Sequence, residues 1–194
     1  MITNFLEIAM KRIKIIPFIF TTIALTACAV PNYATLEESK NYKVFGRTAI
    51  KHPAQSGQVN FSLEQAQAEP VNIVIQGPFA QGRVDIVIDK NETILKMDDA
   101  TYTDSDPDKL FAALTGINWP VSNTQNWIKG RTNHPNTKVT LDNQGLPKTF
   151  TEDGWKVTYD EWIEKSSMKL PLKMTLNQGN DIRLRFLVTN WLIQ

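Results

Sequence analysis

Apolar and polar residues alternate in short segments along most of the chain after residue 41. In the clearest segment, residues 170–176, every second side chain is Leu or Met, and the residues between them include Lys173 and Thr175. A period of two residues places the apolar side chains on one face of a β-strand and the polar ones on the other. The predicted strands are Tyr42–Ile50, Gln58–Glu64, Pro70–Gln76, Arg83–Asp89, Thr93–Asp98, Lys138–Asp142, Lys148–Glu152, Trp155–Tyr159, Lys169–Leu176 and Ile182–Thr189.

One long segment after the N-terminal region, residues 106–130, lacks this alternation and predicts two short helices. Asp106 is suited to cap the first helix, Pro107 to occupy its first position and Gly116 to end it. The apolar face of this helix consists of Leu110, Phe111 and Leu114.

The second helix is predicted by a capping box of Ser122 and Gln125, and Gly130 is placed to end it. Trp127 and Ile128 give this helix an apolar side. Two small amphipathic helices among strands fit either a lid over a binding space or a plug that completes the core. The candidate lining of such a space is Leu110, Phe111, Leu114, Trp127 and Ile128.

The number and spacing of the strands predict the fold class. About ten or eleven strands with short turns favour a mainly β domain, in which one antiparallel sheet curls into a barrel or half-barrel under the small helical lid or plug. No helices alternate with the strands, which argues against a Rossmann-type fold. The tryptophans fit either a cavity lining or a core, and they are Trp119, Trp127, Trp155, Trp162 and Trp191.

Composition and charge narrow the class of partner. The 194 residues are 42% hydrophobic and 21% charged, which is typical of a globular domain. The formal net charge is +1, and residues 28–194 carry 18 basic and 19 acidic side chains. A nucleic-acid-binding protein would carry a concentrated basic face, so we expect no nucleic acid as a partner.

The N-terminus has the features of a processed signal. Lys11, Arg12 and Lys14 precede an apolar run, residues 15–25, that is too short to span a bilayer comfortably. The run ends in Leu-Thr-Ala-Cys at Cys28, which resembles a bacterial lipobox. This resemblance implies cleavage before Cys28 and lipid attachment to its thiol. Translation starts at Met1 or at Met10, because the signal is complete from either residue.

The predicted organisation follows from that signal. Residues 1–27 form the signal peptide, residues 28–41 the acylated cysteine and a polar tether, and residues 42–194 the folded domain. In Gram-negative lipoproteins, Asp after the acylated cysteine is the usual signal for retention in the inner membrane. Ala29 stands there in this chain, which implies the outer membrane.

The residue types that enzymes use do not form a catalytic pattern here. His52 and His134 each precede a proline in a turn-like setting and have no metal-ligand spacing. Asp104, Asp106 and Asp108 resemble the start of a calcium loop, but Lys109 stands where its glycine is required, so helix capping explains them better. We therefore expect a protein that is not an enzyme, with no catalytic residue, no metal and no cofactor.

Several segments together resemble the LolB family of outer-membrane lipoproteins. They are the lipobox, the strand layout, the helical segment LTGINWPVSNTQNWIKG (residues 114–130) and the end of the final strand, RLRFLVTNW (residues 183–191). The family commonly has Leu where this chain has Thr124, and Pro where it has Thr132. The resemblance implies an unclosed β-barrel with a helical lid over a hydrophobic cavity.

A second local match concerns the turn QGPFAQG, residues 76–82. The family has a protruding hydrophobic residue in this loop, commonly Leu, and Phe79 matches its position. An apolar side chain on a turn loses about 2 kcal/mol of burial when it faces water. Phe79 therefore either folds back onto the core or serves as a membrane-insertion residue, and the resemblance favours insertion.

The resemblance also implies a function. The protein would be a monomer, held in the outer membrane by lipidated Cys28, that accepts client lipoproteins from a periplasmic carrier resembling LolA. Two rivals stay open, namely another lipid- or glycolipid-binding outer-membrane lipoprotein and a structural lipoprotein without a ligand.

Overall fold

The computed structural model describes residue 36 and residues 41–53, 55–67, 70–78 and 82–194. All of them belong to one unit, Pro31–Gln194. Leu36, which lies in the predicted tether, is fully buried. The predicted sites Cys28 and Phe79 lie outside the described residues.

Eleven strands and two helices are present in the described part of the chain. The elements in the first half are β1 (Tyr42–Lys51), β2 (Ser56–Gln65), β3 (Val71–Gln76), β4 (Arg83–Ile88), β5 (Thr93–Met97), β6 (Ala100–Asp104) and α1 (Pro107–Thr115). Those in the second half are α2 (Val121–Trp127), β7 (Thr140–Leu141), β8 (Pro147–Glu152), β9 (Trp155–Lys165), β10 (Met168–Gln178) and β11 (Ile182–Ile193).

The strands form one antiparallel sheet in the order β6-β5-β4-β3-β2-β1-β11-β10-β9-β8-β7. The first strand therefore pairs with the last, from Tyr42 opposite Ile193 to Lys51 opposite Arg183. Strands β6 and β7 each have one neighbour, so the sheet does not close. The predicted fold class, a mainly β domain with one unclosed antiparallel sheet and two small helices, is confirmed.

Alternation explains why one face of the sheet is buried. In β1, Val44, Gly46, Thr48 and Ile50 are buried, and the residues between them are exposed or half-buried. We call this buried side the inner face. Gly46 belongs to it, and an added Cβ would lie 2.4 Å from the carbonyl oxygen of Leu187. The pairing of β1 with β11 shifts register at this point, which a side chain would obstruct.

Two predicted strand details are wrong. Strand β6 was not predicted, because four of its five residues, from Thr101 onward, are exposed and show no apolar alternation. Leu172 was placed among the buried residues of β10 but is half-buried, since the pairing of β10 with β9 is irregular between Pro171 and Met174.

The first helix forms for the predicted reasons. Asp106 accepts hydrogen bonds from the backbone N–H groups of Asp108 and Lys109, each at 3.1 Å. Gly116 adopts φ 70°, a left-handed conformation that favours glycine, and its N–H donates to the carbonyl of Ala112.

The second helix begins differently from the prediction. Its N-cap is Pro120, and the cap position makes no side-chain hydrogen bond, so the predicted capping box of Ser122 and Gln125 is wrong. The backbone N–H and hydroxyl of Ser122 instead donate to the carboxylate of Asp108, at 2.9 and 2.7 Å. The helix ends at Trp127, and Gly130 adopts φ 81° in the turn that follows it.

Candidate functional site

A cavity of about 370 Å³ lies between α1 and the inner face of β1–β5. Each of these five strands contributes one apolar side chain to its wall, namely Ile50, Val59, Ile75, Val84 and Met97. Helix α1 and the loop after it contribute Phe111, Leu114, Ile117 and Trp119. The lining is therefore largely apolar, as a binding site for hydrocarbon requires.

Most polar residues of the lining lie in turns at one end of the cavity; Thr115 of α1 also lines it, and its hydroxyl donates to the carbonyl of Phe111 at 2.7 Å. The turns at that end contribute Gln55, Gly77, Gly82 and Asp98. The N–H of Gly77 donates to the carbonyl of Gly82 at 3.3 Å, so these two glycines meet at the base of the β3–β4 turn. The cavity thus has a polar rim where the hairpin turns gather and an apolar interior under α1.

Two other depressions, of about 540 and 560 Å³, have a different character. Charged and polar side chains form most of their lining, including Arg47, Lys173 and Arg185 in one and Lys138 and Lys156 in the other. Burying an acyl chain against such groups would remove them from water without replacing their hydrogen bonds. Of the depressions described, the one under α1 is suited to an apolar ligand.

A chain of aromatic contacts connects α1 to the sheet. The rings of Phe111 and Trp119 meet edge to face at 6.0 Å, and Trp119 meets Phe186 of β11 at 5.3 Å. Phe186 in turn contacts Phe61 of β2 at 5.5 Å. The indole N–H of Trp119 donates to Thr124 of α2, which fixes the ring. Phe111 and Trp119 line the cavity, and their contacts with Phe186 and Phe61 connect this part of its wall to the sheet.

Asp108 connects the two helices. Its carboxylate accepts both hydrogen bonds from Ser122 at the start of α2. Burial raises the pKa of Asp108 above its usual value, and the hydrogen bonds from Ser122 oppose that rise. The beginning of α1 is therefore held against the beginning of α2, while Leu114 near its other end lies over the cavity.

Glu152 at the end of β8 fixes the region around α2. Its buried carboxylate accepts the indole N–H of Trp127 at 2.6 Å, the backbone N–H groups of Asn133 and His134 at 2.9 Å each, and the hydroxyl of Thr137 at 2.6 Å. Burial by itself would raise the pKa of Glu152, but these donors lower it to about 2. The carboxylate is thus ionised at neutral pH and binds α2 and the following loop to the sheet.

The described residues hold no group of three or more His, Cys, Asp or Glu side chains that could bind a metal ion. Asp104 accepts a hydrogen bond from the N–H of Asp106 at 2.8 Å, and Asp106 caps α1, so helix capping accounts for these acidic residues. His134 is exposed and contacts Asp153 through Nε2 at 3.1 Å. No helix in the described segments is long and apolar enough to cross a membrane.

Comparison with known proteins identifies the family. The profile of the family described as "Outer membrane lipoprotein LolB" matches residues 40–191. The chain belongs to the LolB family.

Named LolB relatives cover most of the chain. An outer-membrane lipoprotein LolB from Halorhodospira halophila is 28% identical over 158 residues, which are 79% of this chain and 76% of the relative. The Marinomonas relative of the same name is 26% identical over 186 residues, 89% of this chain and 94% of its own. The similarity therefore spans most of this chain and most of each relative.

Solved structures show the same fold at low sequence identity. A putative outer membrane lipoprotein-sorting protein domain from Vibrio parahaemolyticus gives a TM-score of 0.55 at 8% identity, covering 82% of this chain and 87% of that domain. A LolA superfamily protein from Nitrosomonas europaea gives 0.53 at 9% identity, covering 79% and 86%. This chain therefore has the same fold as these two proteins.

The five residues predicted from the helix pattern to line a binding space lie in two places. Phe111 and Leu114 line the cavity. Leu110 is buried beside them in the core, and Trp127 and Ile128 are fully buried around α2. Trp119 both lines the cavity and fills core, whereas Trp155 and Trp191 are buried outside the cavity lining.

The five strand residues of the cavity wall were not singled out from the sequence. A signal for them exists, because each lies near the end of its strand that adjoins the β1–β2, β3–β4 or β5–β6 connection. In an antiparallel sheet these turns share one edge, so the inward apolar residues closest to them must meet. Glu152 and the Asp108–Ser122 contact carry no such signal, since each depends on packing between distant elements.

Proposed function

We propose that this protein is an outer-membrane receptor that accepts the acyl chains of lipoproteins from a periplasmic carrier and passes them to the membrane. The cavity under α1 carries this proposal, because it offers an apolar interior with a polar rim. The LolB family profile and the relatives named outer-membrane lipoprotein LolB support it.

The chemistry of the cargo explains why a cavity is needed. Each methylene group removed from water contributes about 0.8 kcal/mol, so an acylated lipoprotein requires shielding at every stage between two membranes. A receptor accepts the chains if its cavity binds them more favourably than the carrier does. No bond is made or broken in this step, so the protein acts without catalysis, nucleotide or cofactor.

Helix α1 is the element suited to act as the lid. Leu114 and Phe111 on this helix cover the cavity, and neither makes a hydrogen bond to the sheet that opening would break. The Asp108–Ser122 contact holds the start of α1 to α2. A rotation of α1 about that contact would widen the cavity while keeping the helix attached.

The membrane end of the mechanism rests on two residues outside the described part of the chain. Cleavage after residue 27 would leave Cys28 acylated, with residues 28–41 as the tether and 42–194 as the folded domain. In the sequence, Phe79 stands between Gly77 and Gly82, which border the cavity rim. An acyl chain leaving through the rim would pass the connection between these glycines, where Phe79 would favour entry into the bilayer.

The test uses a soluble form without the signal and with Cys28→Ala, mixed with carrier that holds a radiolabelled lipoprotein. We expect the label to move to this protein, and the anchored form to deliver it into liposomes. Phe79→Glu should bind the cargo normally but deliver it poorly, while the control Phe79→Leu should deliver it like the unchanged protein.

Label that stays on the carrier while the receptor is folded would overturn the proposal. Binding of free phospholipid or glycolipid in that case would assign the cavity to a different lipid. Equal delivery by Phe79→Glu and Phe79→Leu would remove Phe79 from the mechanism but leave the receptor function in place.

A further inference from the structure

The two edges of the open sheet are built differently. Strand β7 contains two residues, and its pairing with β8 shifts register between them. Strand β6 contains five residues, from Ala100 to Asp104, and pairs with β5 without a shift. Folded proteins protect exposed edges with very short strands, bulges, proline or charged side chains, because an unpaired edge binds other strands. Strand β7 has the first two protections. Strand β6 has no bulge and no proline, and its one charged residue, Asp104, lies at its last position.

The free edge of β6 is accessible. The last four residues of the strand, 101–104, are all exposed. Among the described residues, Tyr102 is one of two exposed large hydrophobic residues. The hydrogen bonds described for this strand join it to β5 or to the start of α1. The other edge of the strand therefore faces solvent.

The hairpin geometry shows which backbone groups are available. Met97 and Ala100 close a two-residue turn, and in such a turn the closing residues exchange backbone hydrogen bonds. Hydrogen-bonded pairs alternate along an antiparallel ladder, so Tyr102 also pairs with β5 in this way. The N–H and C=O groups of Thr101 and Thr103 consequently point away from the sheet.

This edge begins at the cavity rim. Met97 and Asp98 line the cavity, and Ala100 is the residue paired with Met97. From there β6 runs away from the rim for about 17 Å, at 3.3 Å per residue. A molecule with a hydrocarbon part in the cavity and a polypeptide part outside it would have the polypeptide beside β6.

We propose that the free edge of β6 binds the polypeptide segment that follows the acylated cysteine of a cargo lipoprotein. This inference rests on the proposed function, in which the acyl chains enter the cavity. The acylated cysteine is the N-terminal residue of the cargo, so its chain leaves the rim in the same direction as β6. The added strand is therefore parallel to β6 and bonds to Thr101 and Thr103.

Recognition through the backbone suits a receptor for many cargoes. Main-chain hydrogen bonds require an extended segment but no particular side chains. The acidic residues Asp98, Asp99 and Asp104 flank the edge, which favours tails that are neutral or basic. The cavity and the edge thus form one continuous site for the two chemical parts of a lipoprotein.

Amide hydrogen exchange, followed by NMR, tests the contact directly. The probes are a triacylated cysteine with an eight-residue Ser/Thr/Asn tail and the same lipid with a two-residue tail. We expect the long-tailed probe to slow exchange of the Thr101 and Thr103 amides about tenfold or more, and the short-tailed probe to leave them unchanged.

A pair of variants gives a second measurement. Thr103→Pro removes an N–H that points outward, which an edge strand tolerates, while Thr103→Val keeps the N–H. We expect Thr103→Pro to bind the long-tailed probe about tenfold more weakly and the short-tailed probe normally. Thr103→Val should bind both probes like the unchanged protein. If Thr103→Pro fails to fold, the exchange measurement on the unchanged protein decides the matter.

The possible outcomes separate this inference from the receptor function. If both probes bind but the Thr101 and Thr103 amides stay unprotected, the edge contact is wrong and the receptor function stands. If neither probe binds, the proposed function fails and the edge contact fails with it. Protection that rises with protein concentration in the absence of probe would assign the edge to a second copy of this chain, which also overturns the inference.

Discussion

The inner face is apolar in both halves of the sheet, β1–β6 and β7–β11, but the space above it is filled differently in each. Under α1, the aliphatic side chains of β1–β5 leave a cavity of about 370 Å³. Under α2, aromatic rings fill the space, with Trp127 6.2 Å from Phe150, Phe150 6.1 Å from Tyr159 and Tyr159 4.9 Å from Trp162.

Polar anchors follow the same division. In the filled half, Glu152 accepts hydrogen bonds from α2 and the loop after it, and the hydroxyl of Tyr159 donates to the carbonyl of Trp127 at 2.7 Å. In the cavity half, α1 touches the inner face mainly through apolar side chains such as Phe111 and Leu114. The filled half is therefore held together by specific polar contacts. The cavity half is covered mainly by apolar side chains, which leaves space for a ligand.

The largest effect should come from removing the anchor of the filled half. Glu152→Ala would leave the indole N–H of Trp127 and the backbone N–H groups of Asn133 and His134 buried without an acceptor. We expect a loss of about 3–5 kcal/mol in the free energy of unfolding, measured with urea. The exposed Glu164, which pairs with Lys169 at 2.7 Å, is the control, since Glu164→Ala should cost about 1 kcal/mol or less. Equal losses in both variants would show that Glu152 is not the anchor.

Acid should weaken the same half. The pKa of Glu152 is lowered from 4.5 to about 2, so its contribution is complete above pH 4.5 and is lost as the pH falls toward 2. The difference corresponds to about 3 kcal/mol of unfolding free energy. Asp108 also titrates, and its pKa is shifted in the opposite direction. The quantity to measure is therefore the difference in unfolding free energy between the unchanged protein and Glu152→Gln across this pH range. A difference that does not shrink with acid would contradict the assignment.

A smaller effect should separate binding from stability. Leu114→Trp adds volume to a residue that lines the cavity and is half-buried, so we expect about tenfold weaker binding of a fluorescent acyl probe. The unfolding free energy should change by about 1 kcal/mol or less, because the new ring enters empty space.

The matched variant in the filled half is Phe150→Leu. It should lower the unfolding free energy by about 1–2 kcal/mol through lost packing while leaving probe affinity unchanged. If Phe150→Leu weakened binding of the probe as much as Leu114→Trp does, the two halves would not be independent in the way their packing indicates.

Local sequence signals predicted the elements that depend on local chemistry. The alternation of apolar residues placed ten of the strands, and Asp106, Pro107 and Gly116 placed α1, because strand faces and helix caps involve residues close in the chain. Strand β6 was not predicted, because an exposed edge strand has no buried face and therefore no alternation of apolar residues. The start of α2 was not predicted correctly, because the carboxylate that accepts the hydrogen bonds of Ser122 belongs to Asp108 on the other helix.

The site was predictable only in part for the same reason. Of the five residues predicted to line a binding space, Phe111 and Leu114 line the cavity. The other three are buried outside its lining, namely Leu110, Trp127 and Ile128. The volume of that space depends on how distant side chains pack, and alternation carries no information about it. Cys28 and Phe79 stay predictions, carried by the lipobox and by the turn of residues 76–82.

The pairing of β1 with β11 has a consequence for how the chain folds. It joins the two halves through ten matched residue pairs that lie more than 130 positions apart in sequence. Contacts between such distant residues close large loops and slow folding. Synthesis and export must reach β11 before these contacts can form, so until then β1 has an unpaired side. The filled half and the cavity half therefore pair late, and a chain interrupted before β11 would expose the apolar inner faces of both.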